Sequence, residues 1–260
     1  MRELTQSLGP LRELDVELAI LDRAADGDSV SSSALALVRR EVASRRQALR
    51  DELGNDPPVA DLKKLIKKLE KVGQLERAGT ETGRTRKKAR KRDAAWRDVL
   101  AARLLRRAKN LGAALEEAGP LYGSDRIHGV RVSTKKLRYA LELARDAGEP
   151  RVAALVKALK QHQTRLGRLH DLQALLKHVR ETEASPRVGS MLSDLAAYAD
   201  SLDRECRRLH AEFVEHRDGL LDCVNQVRCE VVPAMATTAR TQVRTTRPAR
   251  SGAARRAKAG

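Results

Sequence analysis

Residues 127–143 read Ile-His-Gly-Val-Arg-Val-Ser-Thr-Lys-Lys-Leu-Arg-Tyr-Ala-Leu-Glu-Leu, with polar and apolar residues in an order typical of an α-helix. At about 100° per residue, Val130, Leu137 and Leu141 fall on one face, which predicts an amphipathic helix packed against a core. The opposite face is ionisable and spans an arc of about 80°. We name its cations the cationic stripe, which consists of His128, Arg131, Lys135 and Arg138 and is followed by Glu142.

Apolar residues also border the cationic stripe. Val132, Tyr139 and Leu143 lie directly beside it, whereas a fully solvated face would have polar neighbours. The stripe is therefore expected to line a groove or cavity between packed helices. Confined cations repel one another, and Glu142 can neutralise only one of them, so such a groove is expected to attract an anion.

The next helical pattern carries a second polar stripe within an arc of roughly 100°. Two antiparallel helices that each present such a stripe would form a cationic channel. A flexible chain of phosphates suits it, because Arg and Lys side chains bind phosphate oxygens at successive helical turns. A protonated His128 could donate to such an oxygen, and the alternative is a histidine that caps the helix start. The second stripe consists of Lys157, Lys160, Gln161, Thr164, Arg168 and Asp171.

The rest of the chain is also helical in composition, which predicts an all-α fold. The 260 residues include one Trp, three Tyr and one Phe, whereas sheet-rich folds draw on aromatic and β-branched residues. The same shortage disfavours domains that stack the bases of single-stranded nucleic acids on aromatic rings. Helices are predicted at about 1–25, 31–53, 59–78, 84–118, 125–146, 150–181 and 186–231, the last with an interruption near Gly219.

The charge of the chain is strongly basic, with 52 Lys+Arg against 35 Asp+Glu and a net charge of +17. This excess predicts a polyanionic partner without specifying which one. Residues 234–260 are predicted to form a disordered basic tail that binds anions, including nucleic acid, without specificity. The last 25 residues hold seven basic and no acidic residues, which leaves +10 for the folded part.

One short pattern occurs twice, which predicts a duplicated helical unit. Residues 8–15 read Leu-Gly-Pro-Leu-Arg-Glu-Leu-Asp, and residues 166–173 read Leu-Gly-Arg-Leu-His-Asp-Leu-Gln, an offset of 158. Both copies place a glycine inside a helical pattern, where it costs roughly 1 kcal/mol, so a packing reason is expected.

The motif His128-x-x-Arg131-x-x-x-Lys135-Lys136-Leu137-Arg138-Tyr139-x-x-Glu142, followed by Gln163-x-x-Leu166-Gly167-x-x-x-Asp171, resembles the CHAD family, the conserved histidine α-helical domains. Residues 8–15 resemble the first-half counterpart, with Glu13 where Asp is usual. The resemblance covers about residues 4–230. It implies two pseudo-symmetric antiparallel helical-bundle units around a basic central channel that binds inorganic polyphosphate, without catalysis or a cofactor. By position, the channel would include the cationic stripe and Arg12.

The N-terminus departs from that family pattern. His128 precedes Leu166 by 38 residues, so its counterpart in the first repeat would lie before Met1. We hypothesise that the first helix is missing, through a shortened domain or a misassigned start codon. The expected organisation is a CHAD-like domain over 1–233, with a first unit at about 1–118 and a second at about 124–233.

A run of cations forms the start of the long fourth helical pattern. Residues 84–92 hold seven Lys and Arg, which is typical of a solvated helix start, a rim of the anion channel or a nucleic-acid patch. Lys87 and Lys91 are the candidates for the rim. Lys63, Lys64, Lys67 and Lys71 are more typical of a solvated face.

The sequence disfavours metal sites, membrane spans and common catalytic sites. His162, His170 and His178 are spaced by eight residues, so they cannot share one helical face. The three cysteines form no CxxC pair and indicate reduced thiols in a cytosolic protein. No window approaches 18 uninterrupted apolar residues. The ExExK signature of triphosphate tunnel hydrolases, a Walker loop and GxGxxG are all absent.

The predicted function is therefore a cytoplasmic polyphosphate-binding module that associates with polyphosphate granules. The alternative is a basic helical protein that binds nucleic acid without specificity. An enzyme acting on phosphoanhydrides is disfavoured, because no metal-binding carboxylate cluster is visible. The predicted binding residues are Arg12, Lys87, Lys91, His128, Arg131, Lys135, Lys136, Arg138, Lys157, Lys160 and Arg168.

Overall fold

The computed structural model describes residues 2–25, 31–55, 62–68, 70–71, 83–186 and 188–236, with the backbone alone for 2–7 and 83–94. Regular structure in these segments is helical throughout, with no strand, which confirms the all-α fold class. None of the helices in these ranges is long and apolar enough to cross a membrane.

From α4 onward, the described helices follow one another with short connections. Three-ten turns at Pro150–Val152 and Gly189–Met191 lead into two of them, and a π-helical segment at Val227–Val231 follows the last. The α-helices are α1 Arg2–Ala25, α2 Ser32–Asn55, α3 (62–68 and 70–71), α4 Gly83–Ala118, α5 Ser124–Asp146, α6 Ala153–Glu183, α7 Leu192–Glu215 and α8 Arg217–Gln226.

The C-terminal part is divided into two helices close to Gly219, where the prediction over 186–231 places an interruption. The helical path breaks at His216, whose Nδ1 lies 2.8 Å from the carbonyl oxygen of Glu212 and closes α7. Gly219 on α8 lies against α6, because a Cβ there would be 3.4 Å from Nε2 of His162, an ordinary van der Waals contact. Helix continues through residue 236, where Met235 is buried in the core, beyond the predicted tail boundary at 234. The rest of the predicted tail lies outside the described residues.

The core is built from leucines on the inner faces of the helices. On α5, Ile127, Val130, Leu137 and Leu141 are all at most 1% exposed, as the apolar face of residues 127–143 predicts. Each fully buried side chain of this size contributes about 1.5–3 kcal/mol. The buried face of α5 therefore fixes which way its polar face points.

Helix α6 is the central element that positions the site. It packs against α5 and α7, and also contacts α1 and α2. Helix α5 also packs along α4, and α4 in turn contacts α8, where Nη2 of Arg217 donates to the carbonyl oxygen of Leu115 at 2.9 Å. The polar face of α5 and the first repeat on α1 thus both meet α6.

His210 on α7 is a buried histidine in an apolar setting. Its ring centroid lies 5.1 Å from that of Tyr122, edge to face, and 6.0 Å from that of Phe213. Its Nε2 is buried and forms no hydrogen bond with a described residue. Burial lowers the pKa of His210, because the imidazolium form would lose its hydration.

We expect the protein to lose stability as the pH falls below about 6.5, where histidine titrates in an unfolded chain. Burial lowers the pKa values of His162, His170 and His210 in the folded state, so the unfolded chain binds more protons there. His210 cannot contribute more than about 1.4 kcal/mol per pH unit to this loss of stability, because it binds one proton.

Thermal unfolding between about pH 7.5 and pH 5 measures this loss. The His210→Phe variant should lose less stability on acidification than the wild type does. The exposed control His216→Gln should lose as much stability as the wild type. An equal acid loss in His210→Phe would contradict the assignment to His210.

Candidate anion-binding site

The cationic stripe lies along one polar face of α5. His128 is exposed, whereas Arg131, Lys135 and Arg138 are partly buried. Neither Arg131 nor Lys135 has a hydrogen bond or ion pair with a carboxylate among the described residues. Partly buried cations without a close counterion leave room for an external anion. The predicted neighbour Lys136 is exposed.

Arg138 is held in place by three neighbours. Its Nε donates to Oε1 of Gln163 on α6 at 2.7 Å, and its Nη1 donates to Oε1 of Glu142 at 2.6 Å. Its guanidinium also lies over the ring of Tyr139, 4.5 Å from the centroid. The side chain is only 14% exposed, yet the guanidinium keeps unused N–H donors. Arg138 is therefore preorganised to donate to a ligand.

The apolar border of the stripe is open to solvent. Tyr139 is 46% exposed and Leu143 is 47% exposed, so no described helix covers this side. Nζ of Lys135 also lies near the Tyr139 ring, 5.9 Å from its centroid. The stripe was predicted to line a groove or cavity between packed helices, and in the described part of the chain its Tyr139 side is open.

The start of the stripe meets the two repeat copies. We name this junction the three-helix cluster. The ring centroids of His128 on α5 and His170 on α6 are 5.1 Å apart. Nε2 of His170 lies 3.9 Å from Oε1 of Glu13 on α1. The cluster consists of Arg12 and Glu13 on α1, His128 and Arg131 on α5, and His170 and Asp171 on α6.

Burial and the neighbouring charges both shift the pKa values of the ionisable groups of this cluster. Burial raises the pKa of Asp171, and the positive charges of Arg131, His170 and Arg12 oppose that rise. Burial also lowers the pKa of His170, and Arg131 and His128 lower it further, whereas Glu13 and Asp171 raise it. The uncharged imidazole is therefore the favoured form of His170.

Only part of the second predicted stripe on α6 faces α5. Arg168 donates from Nη2 to Oε1 of Glu205 on α7 at 2.8 Å. Glu205 also accepts from Arg208, whose hydrogen bond lowers the pKa of that carboxyl. Lys157 and Lys160 are exposed on α6. Gln163 and His170 are instead the α6 residues that contact the cationic stripe.

Other predicted cations lie apart from this junction or cannot be placed at it. Lys87 and Lys91 lie on α4, where only the backbone is described. Lys63, Lys64, Lys67 and Lys71 are all exposed on α3.

Sequence reasoning missed a buried acid–histidine pair beside the cluster. Nδ1 of His178 on α6 lies 2.5 Å from Oε2 of Glu17 on α1. Glu17 is only 2% exposed. The pair lies just beyond the three-helix cluster and fixes α1 against α6. The repeat contained a signal for this pair, because Glu17 aligns with Leu175 of the second copy. A glutamate at the position of a leucine that is buried indicates a buried acid.

The three evenly spaced histidines of α6 each lie beside a different residue. His162 lies next to Gly219, His170 next to His128, and His178 next to Glu17. Within the described residues, no group of three His, Cys, Asp or Glu side chains could hold a metal ion.

Comparison with protein families gives one match. The model of the CHAD domain matches residues 1–180, which include both repeat copies and the whole cationic stripe. The chain belongs to the CHAD domain family. Membership is consistent with polyphosphate binding in general. No curated protein and no solved structure matches this CHAD domain protein significantly.

Proposed function

We propose that this CHAD domain binds inorganic polyphosphate along the cationic stripe and does not catalyse its breakdown. The observation that carries the proposal is the pair Arg131 and Lys135, which are partly buried and form no ion pair with a carboxylate among the described residues. A phosphate chain would supply the missing negative charge. The proposal places the protein in the cytoplasm, in association with polyphosphate granules.

The spacing of the stripe suits a ligand with repeated charges. Arg131, Lys135 and Arg138 lie about 6 Å and 4.5 Å apart along the axis of α5. A linear chain of phosphates laid along the helix can therefore contact each cation with a different phosphate group. Arg138 supports this arrangement most directly, because Gln163 and Glu142 fix its guanidinium before any ligand arrives.

The open side of the cationic stripe bears on the choice between polyphosphate and a single-stranded nucleic acid, because only the nucleic acid has bases. Tyr139 is the one Tyr, Phe or Trp residue in 127–143, whereas proteins that bind single strands stack successive bases on several aromatic rings. Polyphosphate has no bases to accommodate. This difference supports polyphosphate over a single-stranded nucleic acid.

The repeat copies support a pseudo-symmetric arrangement of two helical units. Arg12 and His170 occupy equivalent positions in the repeat, as do Glu13 and Asp171. Glu13 lies near His170, and the charge of Arg12 acts on Asp171. Such reciprocal contacts are typical of two copies related by a twofold axis. We propose that this axis passes through the three-helix cluster and that the basic channel of the family lies along it.

Competition binding tests the proposed ligand. Labelled long-chain polyphosphate would be displaced by polyphosphate, duplex DNA or RNA at fixed salt, with competitors matched by phosphate content. We expect polyphosphate to compete at least about tenfold better, a difference of about 1.4 kcal/mol. A preference for either nucleic acid would contradict the proposal.

The same samples test the absence of catalysis. Incubation with polyphosphate and a divalent cation should release no more orthophosphate than a buffer control. Protein-dependent release would favour a phosphoanhydride-cleaving enzyme and contradict this part of the proposal.

A further inference from the structure

His170 lies in the three-helix cluster with a nitrogen that has no partner. Its buried Nε2 forms no hydrogen bond with any described residue. The closest carboxylate oxygen, Oε1 of Glu13, is 3.9 Å away, which is beyond hydrogen-bond distance. On the other side its ring stands 5.1 Å from that of His128, centroid to centroid. A buried ring nitrogen in this position can accept a proton if the surrounding charge becomes more negative.

Charged groups from three helices determine whether His170 is protonated. Arg131 and His128 act from α5, Arg12 and Glu13 face the cluster from α1, and Asp171 is the neighbour on α6. Burial and the two α5 groups lower the pKa of His170 more than the carboxylates raise it. In the free protein, burial together with the repulsion from α5 therefore keeps His170 uncharged.

A bound phosphate chain would act on the α5 charges that contribute to this balance. Arg131 and His128 belong to the cationic stripe, so phosphates along the stripe would neutralise the two charges that oppose a proton on His170. Because His170 belongs to α6 and is partly buried, its protonation would be a consequence of binding and need not involve direct contact with the ligand.

We propose that His170 takes up a proton when a phosphate chain binds along the cationic stripe, so that affinity rises as the pH falls from about 8 to 5.5. The inference rests on the proposed function, because polyphosphate supplies the negative charge. Proton uptake on binding and tighter binding on acidification are two expressions of one coupling free energy. Acidification would thus retain the ligand, and alkalinisation would favour its release.

Titration calorimetry tests the inference on the full chain, with long-chain polyphosphate so that terminal phosphates contribute few protons. Wild-type affinity should rise about fivefold to thirtyfold over this pH range, below the limit of about tenfold per pH unit for one proton. Titrations in two buffers with different ionisation enthalpies should show proton uptake near pH 6.5. His170→Gln should lose most of both effects, whereas the exposed control His216→Gln should keep them.

Each outcome separates the two hypotheses. Polyphosphate binding with no pH dependence, or unchanged proton uptake in His170→Gln, would overturn the role of His170 and leave the proposed function standing. No binding at any pH would overturn the proposed function and this inference with it. NMR of the histidine ring protons provides a direct check, because at a fixed pH of about 6.5 the His170 signal should shift toward its protonated position when polyphosphate is added.

Discussion

His178→Ala is expected to lower the free energy of unfolding by about 3–5 kcal/mol. Nδ1 of His178 lies 2.5 Å from Oε2 of Glu17, and Glu17 is 2% exposed. Alanine would leave the Glu17 carboxylate buried without its partner, which costs more than the intact pair contributes. Urea denaturation followed by far-UV circular dichroism measures the change.

The repeat provides a matched double variant. The offset of 158 aligns Glu17 with Leu175 and His178 with Ile20, so the second copy of this pair is apolar. Leu175 is 0% exposed and Ile20 packs against the core. Glu17→Leu combined with His178→Ile should therefore unfold within about 1 kcal/mol of the wild type. A double variant as unstable as His178→Ala would show that packing, and not the unpaired carboxylate, causes the loss.

The helices could be predicted closely because their signals are local. The pattern predicted a helix at about 84–118, and α4 spans Gly83–Ala118. It ends at Gly119, whose φ of 55° is a left-handed conformation that favours glycine. The following helix was predicted at about 125–146, and α5 spans Ser124–Asp146. Periodicity and glycine position need no knowledge of the other helices.

The partners of each polar face could not be predicted, because they depend on how helices pack. Arg168 shares an arc with Lys157 and Lys160, but that arc contacts Glu205 on α7 through Arg168. Gln163, which contacts Arg138, lies about 140° away from Arg168 around α6. A helix with neighbours on several sides offers more than one plausible inner face, and periodicity alone does not assign each face to a neighbour.

The two repeat copies contact each other, which their sequence pattern alone did not predict. Their shared Leu and Gly residues indicated duplication, and the structure brings the two copies together at Glu13 and His170. That contact joins residues 157 positions apart, so no local signal specifies it. Symmetry would have predicted it only with the additional premise that equivalent positions meet near an axis.

Replacing Arg131, Lys135 and Arg138 together with alanine is expected to weaken polyphosphate binding at least about 100-fold at moderate salt. Hydrogen bonds to charged groups each contribute about 1.5–3 kcal/mol, and losses within one site need not add. The slope of log affinity against log salt should fall by about 2, because each lost phosphate contact removes about 0.7 for a single-stranded polyanion. Fluorescence anisotropy at several salt concentrations measures both quantities.

The control removes the same charge elsewhere. Arg50 on α2, Arg204 on α7 and Arg228 in the π-helical segment are exposed. Their triple alanine variant has the same net charge as the stripe variant, and we expect it to lose less than about threefold in affinity. Equal losses in the two variants would mean that net charge alone governs binding. Thermal unfolding of both verifies that the loss of the Arg138 contacts with Glu142 and Gln163 has not unfolded the stripe variant.

The basic C-terminal segment gives the same experiment a third arm. Deleting residues 237–260 removes seven positive charges, more than either triple variant removes. If the ordered stripe binds the ligand, this deletion should weaken binding less than the stripe variant does, because charges that do not contact the ligand contribute mainly long-range attraction that salt screens. A loss confined to the deletion would contradict a site on α5. The order of the three effects therefore distinguishes a site built from a few positioned cations from attraction by the overall charge of +17.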